Sequence, residues 1–336
     1  MTFGLVMPRL YADIRRRAGI EEAELRELTA VSGRPILFER GRMFAPGWPE
    51  AYVDFDQVIT ASAMTALRRT EILMFDDPLP AAFAVQTADG IPLILISEGM
   101  LGLATLAGFH VAASDRALGA GDVRGQPARE DLYIQLVQAI AGRGSPCPDV
   151  MTAVSRRTYT DLTIHRETMT AFVLLHELGH IALGHLTGDP SGIMPGAPFF
   201  PDPGTPAHGM EIEADAFACD AFSNIYALHT ASTFWSTYAL VEAGRRVTTH
   251  RDAHLSRTHP LGVNRLHAIG RKIEQRSPPD KPVPMRGFQA SMDRTAQLLA
   301  APEQGGLHRI EIANADVSVH HEALVKRYLE SFRAHA

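Results

Sequence analysis

Between residues 82 and 96 the apolar positions fall into two short runs, Ala82 to Val85 and Ile91 to Ile96, split by Gln86, Thr87, Ala88, Asp89 and Gly90. Runs of this length around an Asp-Gly pair predict a β-hairpin. Pro92 cannot donate to a strand ladder, so it belongs at a sheet edge or at the start of the second strand. The apolar stretch continues to Ala113, but Glu98, Gly99, Gly102, Gly108 and His110 interrupt it. It reads as a strand running into a helix, because a membrane span needs about 20 predominantly apolar residues. An edge strand beside a cleft can bind a peptide through its main chain.

Further on, the spacing turns helical. A polar connection, Gly119 to Arg129, leads into an apolar-periodic segment from Asp131 to Ala141, which the GRGSPCPD stretch breaks. A long helix is predicted from about Arg166 to Leu186, with Phe172, Leu175, Gly179 and Leu183 on one face and termination near Thr187 and Gly188. Residues 189–209, rich in Pro and Gly and carrying Phe199 and Phe200, read as a long loop of the kind that binds, covers a site or moves. Helical spacing resumes from Met210 to about Glu242 and again from Pro260 towards Ile273, where Pro suits an early helical position. Residues 278–284 read as a linker. Beyond it, 288–299 and 322–332 look like peripheral helices, separated by an alternating stretch from Ile310 to Val319. Residues 1–75 show short helical patterns around a turn-forming FAPGWP stretch, Phe44 to Pro49. The predicted class is α+β, mainly helical with a small edge sheet or hairpin.

Composition narrows the function rather than the fold. With 336 residues and 46% hydrophobic content the chain can bury a substantial core. A formal charge of -6 offers no long-range attraction for nucleic acid or anionic membranes. The N-terminal arginines follow rather than precede the first apolar stretch, the wrong order for a secretory signal, so a cytoplasmic location is expected. Cys147 and Cys219 form no close pair and read as free thiols. Oligomeric state has no signature in the sequence.

Chemistry concentrates at His176, Glu177, Leu178, Gly179 and His180. Histidines at i,i+4 project from one helical face and can reach one ion, and Glu177 lies close enough to take a proton from a metal-activated water. Zinc in a catalytic site needs a third protein ligand. Glu211 is the leading candidate. Glu211 and Asp215 are i,i+4 neighbours on a second helix, so Glu211 could coordinate while Asp215 accepts the outer N–H of His176. Glu213 is the weaker alternative. Acidic residues at a helix start also have the plainer role of favouring its exposed N–H groups. His185 competes as a ligand, but a three-histidine site would place its last histidine at Leu186, so His185 reads as a residue of the helix C-terminus or one behind the ligands. His259 is the candidate for stabilising an oxyanion, with a helix cap beside Pro260 as its structural alternative. His250 and His254 read as incidental polar residues. Arg257 or Arg265 could hold a substrate carbonyl or a local carboxylate, or sit on a solvated helix face.

HELGHIALGH followed by EIEADAFA resembles the gluzincin metallopeptidases, most closely the M48 family. In that family the first glutamate of an E-x-x-A-D motif is the third zinc ligand, which maps to Glu211, and its aspartate maps to Asp215. Thr258, His259 and Pro260 with Arg265 resemble the family's T-H-P segment, and residues 82–101 resemble its hairpin, with Ala81 where asparagine is usual. The same motifs are similar to ImmA/IrrE-type peptidases, but the T-H-P segment favours the former. The chain departs from many such enzymes in having no obvious spanning helix, and its long hairpin-to-helix separation implies an insertion around 115–160. The resemblance implies a zincin-like catalytic domain over 76–277, between an N-terminal region of 1–75 and a C-terminal region of 278–336. It also implies a zinc-dependent endopeptidase acting on peptide or protein substrates, with Glu177 as general base. The alternatives are a zinc-stabilised regulatory or peptide-binding protein with little turnover, and a helical interaction module whose HExxH is accidental.

Overall fold

Ser97 is where the hairpin becomes a helix. It ends strand β6 (Pro92–Ser97), and its Oγ accepts from the Met100 amide at 3.0 Å, capping helix α3 (Glu98–Gly119). The same Oγ accepts from the Ala81 amide at 2.9 Å, tying the helix start to strand β5 (Ala82–Gln86). This computed structural model describes residues 34–45, 48, 51–75, 80–86, 92–143, 156–186, 206–249, 262–280 and 317–332. The Asp89-Gly90 turn, Cys147, the expected helix end at Thr187 and Gly188, the 189–205 part of the expected loop with Phe199 and Phe200, and the expected helix at 288–299 lie outside them.

β5 and β6 pair antiparallel, and Pro92 opens β6, where its missing N–H costs least. The sheet is larger than the hairpin alone. Strands β1 (Arg34–Pro35) and β4 (Glu71–Phe75) join it in the order β1-β4-β6-β5, with β4 parallel to β6. Residues expected to hold only short helices and a turn therefore supply half of a mixed sheet, plus a separate ribbon of β2 (Leu37–Glu39) and β3 (Arg42–Phe44). Two short helices, α1 (Phe55–Val58) and α2 (Ala61–Arg69), connect this region to β4. Among the described residues β5 forms one edge of this sheet and β1 the other. Ser97 N–H bonds to Ala81 O, so the odd-numbered backbone groups of β5 face β6 and the even-numbered ones face outward.

The remaining described residues are largely helical: α4 (Gln126–Arg143), α5 (Arg156–Ala182), α6 (Pro206–Ala221), α7 (Ile225–Thr249), α8 (Gly262–Arg276) and α9 (Val317–Glu330). None of the described helices is long and apolar enough to cross a membrane. α5 is the central element, touching α3, α6, α7 and β5, and is buried on nearly every side from Arg166 to Gly179. It starts well before Arg166, because its first turns are polar but helical, with Thr168 Oγ1 bonding back to the Ile164 carbonyl at 2.7 Å. Its Glu167 carboxylate accepts from the amides of Tyr52 at 3.1 Å and Val53 at 2.8 Å, while the Arg166 guanidinium lies 3.9 Å from the Trp48 ring centroid. The helix expected from Met210 to Glu242 is in fact two. Asn224 Oδ1 caps α7 by accepting from Tyr226 and Ala227, and Phe222 bridges to Ile59 across the break. Arg276 from α8 donates to the Cys219 carbonyl, closing the other side of that junction. α9 buries Leu324 and Tyr328, and Tyr328 Oη meets His110 Nδ1 at 3.0 Å on α3.

Candidate metal centre

Two helices bring the donors together because their contact surfaces are small. A Cβ on Gly179 would lie 3.1 Å from the Ala214 Cα, so α5 and α6 approach to the limit that glycine and alanine permit. Across this contact His176 and His180 face Glu211. His176 Nε2 lies 3.2 Å from His180 Nε2 and 3.2 Å from Glu211 Oε2, and His180 Nε2 lies 3.4 Å from Glu211 Oε1. Four-coordinate zinc with bonds of about 2.05 Å requires ligand atoms roughly 3.3 Å apart, so the donor set fits a tetrahedral ion. His176 and Glu211 are buried and His180 nearly so, and among the described residues this is the group of His, Cys, Asp and Glu side chains able to hold a metal.

Electrostatics also suit a cation. Burial and the Arg265 charge disfavour a proton on His176, yet its hydrogen bonds to Asp215 and Glu211 outweigh them and carry its pKa up to about 9. Its Nδ1 lies 3.0 Å from Asp215 Oδ1, which leaves Nε2 for a metal. Asp215 is fixed in turn by Arg265, whose Nε and Nη2 donate to its two oxygens at 2.8 and 2.7 Å. Burial opposes the Asp215 charge, but Arg265 and His176 hold its carboxyl below the ordinary range. The Arg265 guanidinium, itself buried, lies 3.8 Å from the Trp235 ring centroid, and Trp235 also packs on the His176 ring. Of the roles open to Arg265, the one it takes is holding a local carboxylate. Nothing in the sequence marked Trp235.

Glu177 is buried beside the donors on the same helix, and burial raises its pKa against the opposing influence of His176 and His180. It accepts the outward-facing amide of Ala84, so the edge strand runs directly past this carboxylate. Glu213 does not join the ligand cluster. It bonds His185 Nε2 at 3.1 Å, and His185 Nδ1 lies 3.1 Å from His180 Nδ1, placing His185 behind the ligands as its spacing suggested. Burial holds His185 below the ordinary histidine value despite Glu213. His259, Thr258, Pro260, Arg257, His250 and His254 lie outside the described residues. Cys219 is buried and free, and burial pushes its thiol well up, leaving it inert. The chain matches no known family model, no curated protein and no solved structure.

Proposed function

We propose that this protein is a zinc-dependent endopeptidase of the gluzincin kind, with His176, His180 and Glu211 as ligands and Glu177 as general base. The observation that carries the reading is the pair of helices presenting two imidazoles and one carboxylate at tetrahedral spacing, with a further buried carboxylate beside them. Zinc, when bound, supplies a Lewis acid that lowers the pKa of water and polarises a peptide carbonyl.

The chain's own residues supply the rest. Glu177, with its pKa raised by burial, is suited to take a proton from water and return it to the departing amine. The Ala84 amide holds its carboxylate in place. Asp215 and Arg265 fix the ring of His176 and its tautomer. At the β5 edge the outward backbone groups of Ala82 and Gln86 and the Ala84 carbonyl offer a ladder on which an extended peptide can lie as an added strand, while the Ala84 amide stays with Glu177. The kinship to the M48 family and the oxyanion role of His259 belong to this same proposal.

Metal content and a peptide-library digest of the zinc-loaded protein test it together. The parent should hold one zinc per chain and cleave peptides, and Glu177→Gln should keep the zinc while losing at least about 100-fold in rate. An E177Q protein as active as the parent would refute the mechanism. A parent that holds zinc and binds peptides without cutting them would instead be the regulatory or binding protein.

A further inference from the structure

The C-terminus of α5 brings His185 back onto His180. Gly184 adopts φ +74°, the left-handed region that glycine enters without strain. The turn then closes with two backbone bonds, His185 N–H to the His180 carbonyl at 3.0 Å and Gly184 N–H to the Ile181 carbonyl at 3.2 Å. In a helix end of this type the residue after the glycine lies against the residue five positions before it, and an apolar contact commonly fills that place. Here two histidines fill it, with Nδ1 to Nδ1 at 3.1 Å.

If Nε2 of His180 faces the metal, its proton resides on Nδ1, and the polarity of everything behind it is then set. His180 Nδ1–H donates to His185 Nδ1, which accepts only if its own proton is on Nε2, and that proton points at Glu213 Oε2 at 3.1 Å. The described distances satisfy this chain of donors without conflict. Glu213 is 65% exposed in its side chain and comes from α6, the same helix that supplies Glu211 and Asp215. His176 has its carboxylate directly behind it and buried, whereas His180 reaches an exposed carboxylate through the buried imidazole of His185.

We infer that His185 and Glu213 form a positioning relay for the second histidine ligand, fixing the tautomer of His180 and raising its basicity towards the metal. The inference rests on the metal reading proposed above. It assigns Glu213, which has no direct place in the ligand set, a function that can be measured without any substrate.

Zinc affinity, read by competition against a chelator at fixed pH, separates this role from plain packing. His185→Phe keeps an apolar filling of the helix end but removes the acceptor, so zinc affinity should fall by about 10- to 100-fold. His185→Asn places a carbonyl oxygen near the position of Nδ1 and should recover most of that loss. Glu213→Ala, a surface change that leaves the core intact, should weaken zinc several-fold while leaving the thermal midpoint of the metal-free protein unchanged. If H185F binds zinc like the parent, or H185N loses as much as H185F, or E213A has no effect, the relay is overturned. A parent that holds no stoichiometric zinc would defeat the metal reading first, and the two failures are therefore distinguishable.

Discussion

Gly179→Ala tests whether the closeness of two helices sets the proposed zinc centre. The added Cβ would meet Ala214 Cα at 3.1 Å, Ala214 O at 3.2 Å and Phe217 Cδ1 at 3.2 Å. Carbon atoms in ordinary contact lie about 3.5–4.0 Å apart, so the interface must open by roughly half an ångström. Phe217 can rotate, but the Ala214 contacts are to backbone, and relief there means moving α6. Overpacking of this kind costs about 1–3 kcal/mol, offset by about 1 kcal/mol from replacing glycine inside a helix. The metal-free protein should therefore lose at most about 2 kcal/mol. The effect on zinc should be larger in proportion. Glu211 lies one helical turn from Ala214 on the moving helix, whereas both histidines stay on α5, and metal–ligand distances tolerate only about 0.2 Å. A loss of at least about tenfold in zinc affinity is expected by chelator competition, alongside a modest fall in the urea midpoint without metal. Gly209→Ala is the control: it lies on α6 with no described atom within 4 Å of the added Cβ, and should be neutral or slightly stabilising. A G179A protein with parental zinc affinity would show that the interface does not set the ligand spacing.

Asp215→Ala removes the two-pronged partner of buried Arg265 and should destabilise the fold by about 3–5 kcal/mol in chemical denaturation. Adding Arg265→Leu should recover part of this, and strict additivity of the two changes would contradict the coupling. Glu167 is a pH device of the fold: burial, against the opposing Val53 amide and Arg166, raises its pKa from 4.5 to about 7. A carboxyl with a raised native pKa stabilises fully below its unfolded value and loses that contribution as pH rises through the native one, here between about 4.5 and 7. Glu167→Gln should therefore gain on the parent across that window by roughly 3 kcal/mol, and parallel stability–pH curves would refute the assignment.

The candidate metal donors are legible in the sequence because their chemistry depends on local spacing. His176 and His180 share a helical face by period alone, and so do Glu211 and Asp215. What joins the two pairs is the fit of Gly179 to Ala214, and only the small size of those residues hinted at it. Arg265 was ambiguous for a physical reason, since a helical arginine becomes a carboxylate holder only once burial removes water as its competitor. The first turns of α5 are not legible because the buried threonines Thr158 and Thr163 and the exposed charges around them all look like surface in a hydrophobic pattern. β4 was missed because its partner β6 is distant in sequence, and the break at Asn224 because side-chain capping interrupts an otherwise continuous helical period. Glu213 reads from the sequence as the weaker ligand alternative, and spacing along its own helix does not account for a neighbour that the turn at Gly184 folds back towards it.

An open sheet edge invites more than a substrate, since another copy of the same strand fits it equally well and sheet-to-sheet joining is how soluble proteins begin to aggregate. On β5 the Ala84 amide is already engaged by Glu177, so a second copy's edge would meet a gap in its ladder at that residue. The carboxylate proposed to move protons thereby also guards the protein against itself. Glutamine at 177 retains an acceptor for that amide, whereas alanine would free it and let a second copy of the strand pair along the edge.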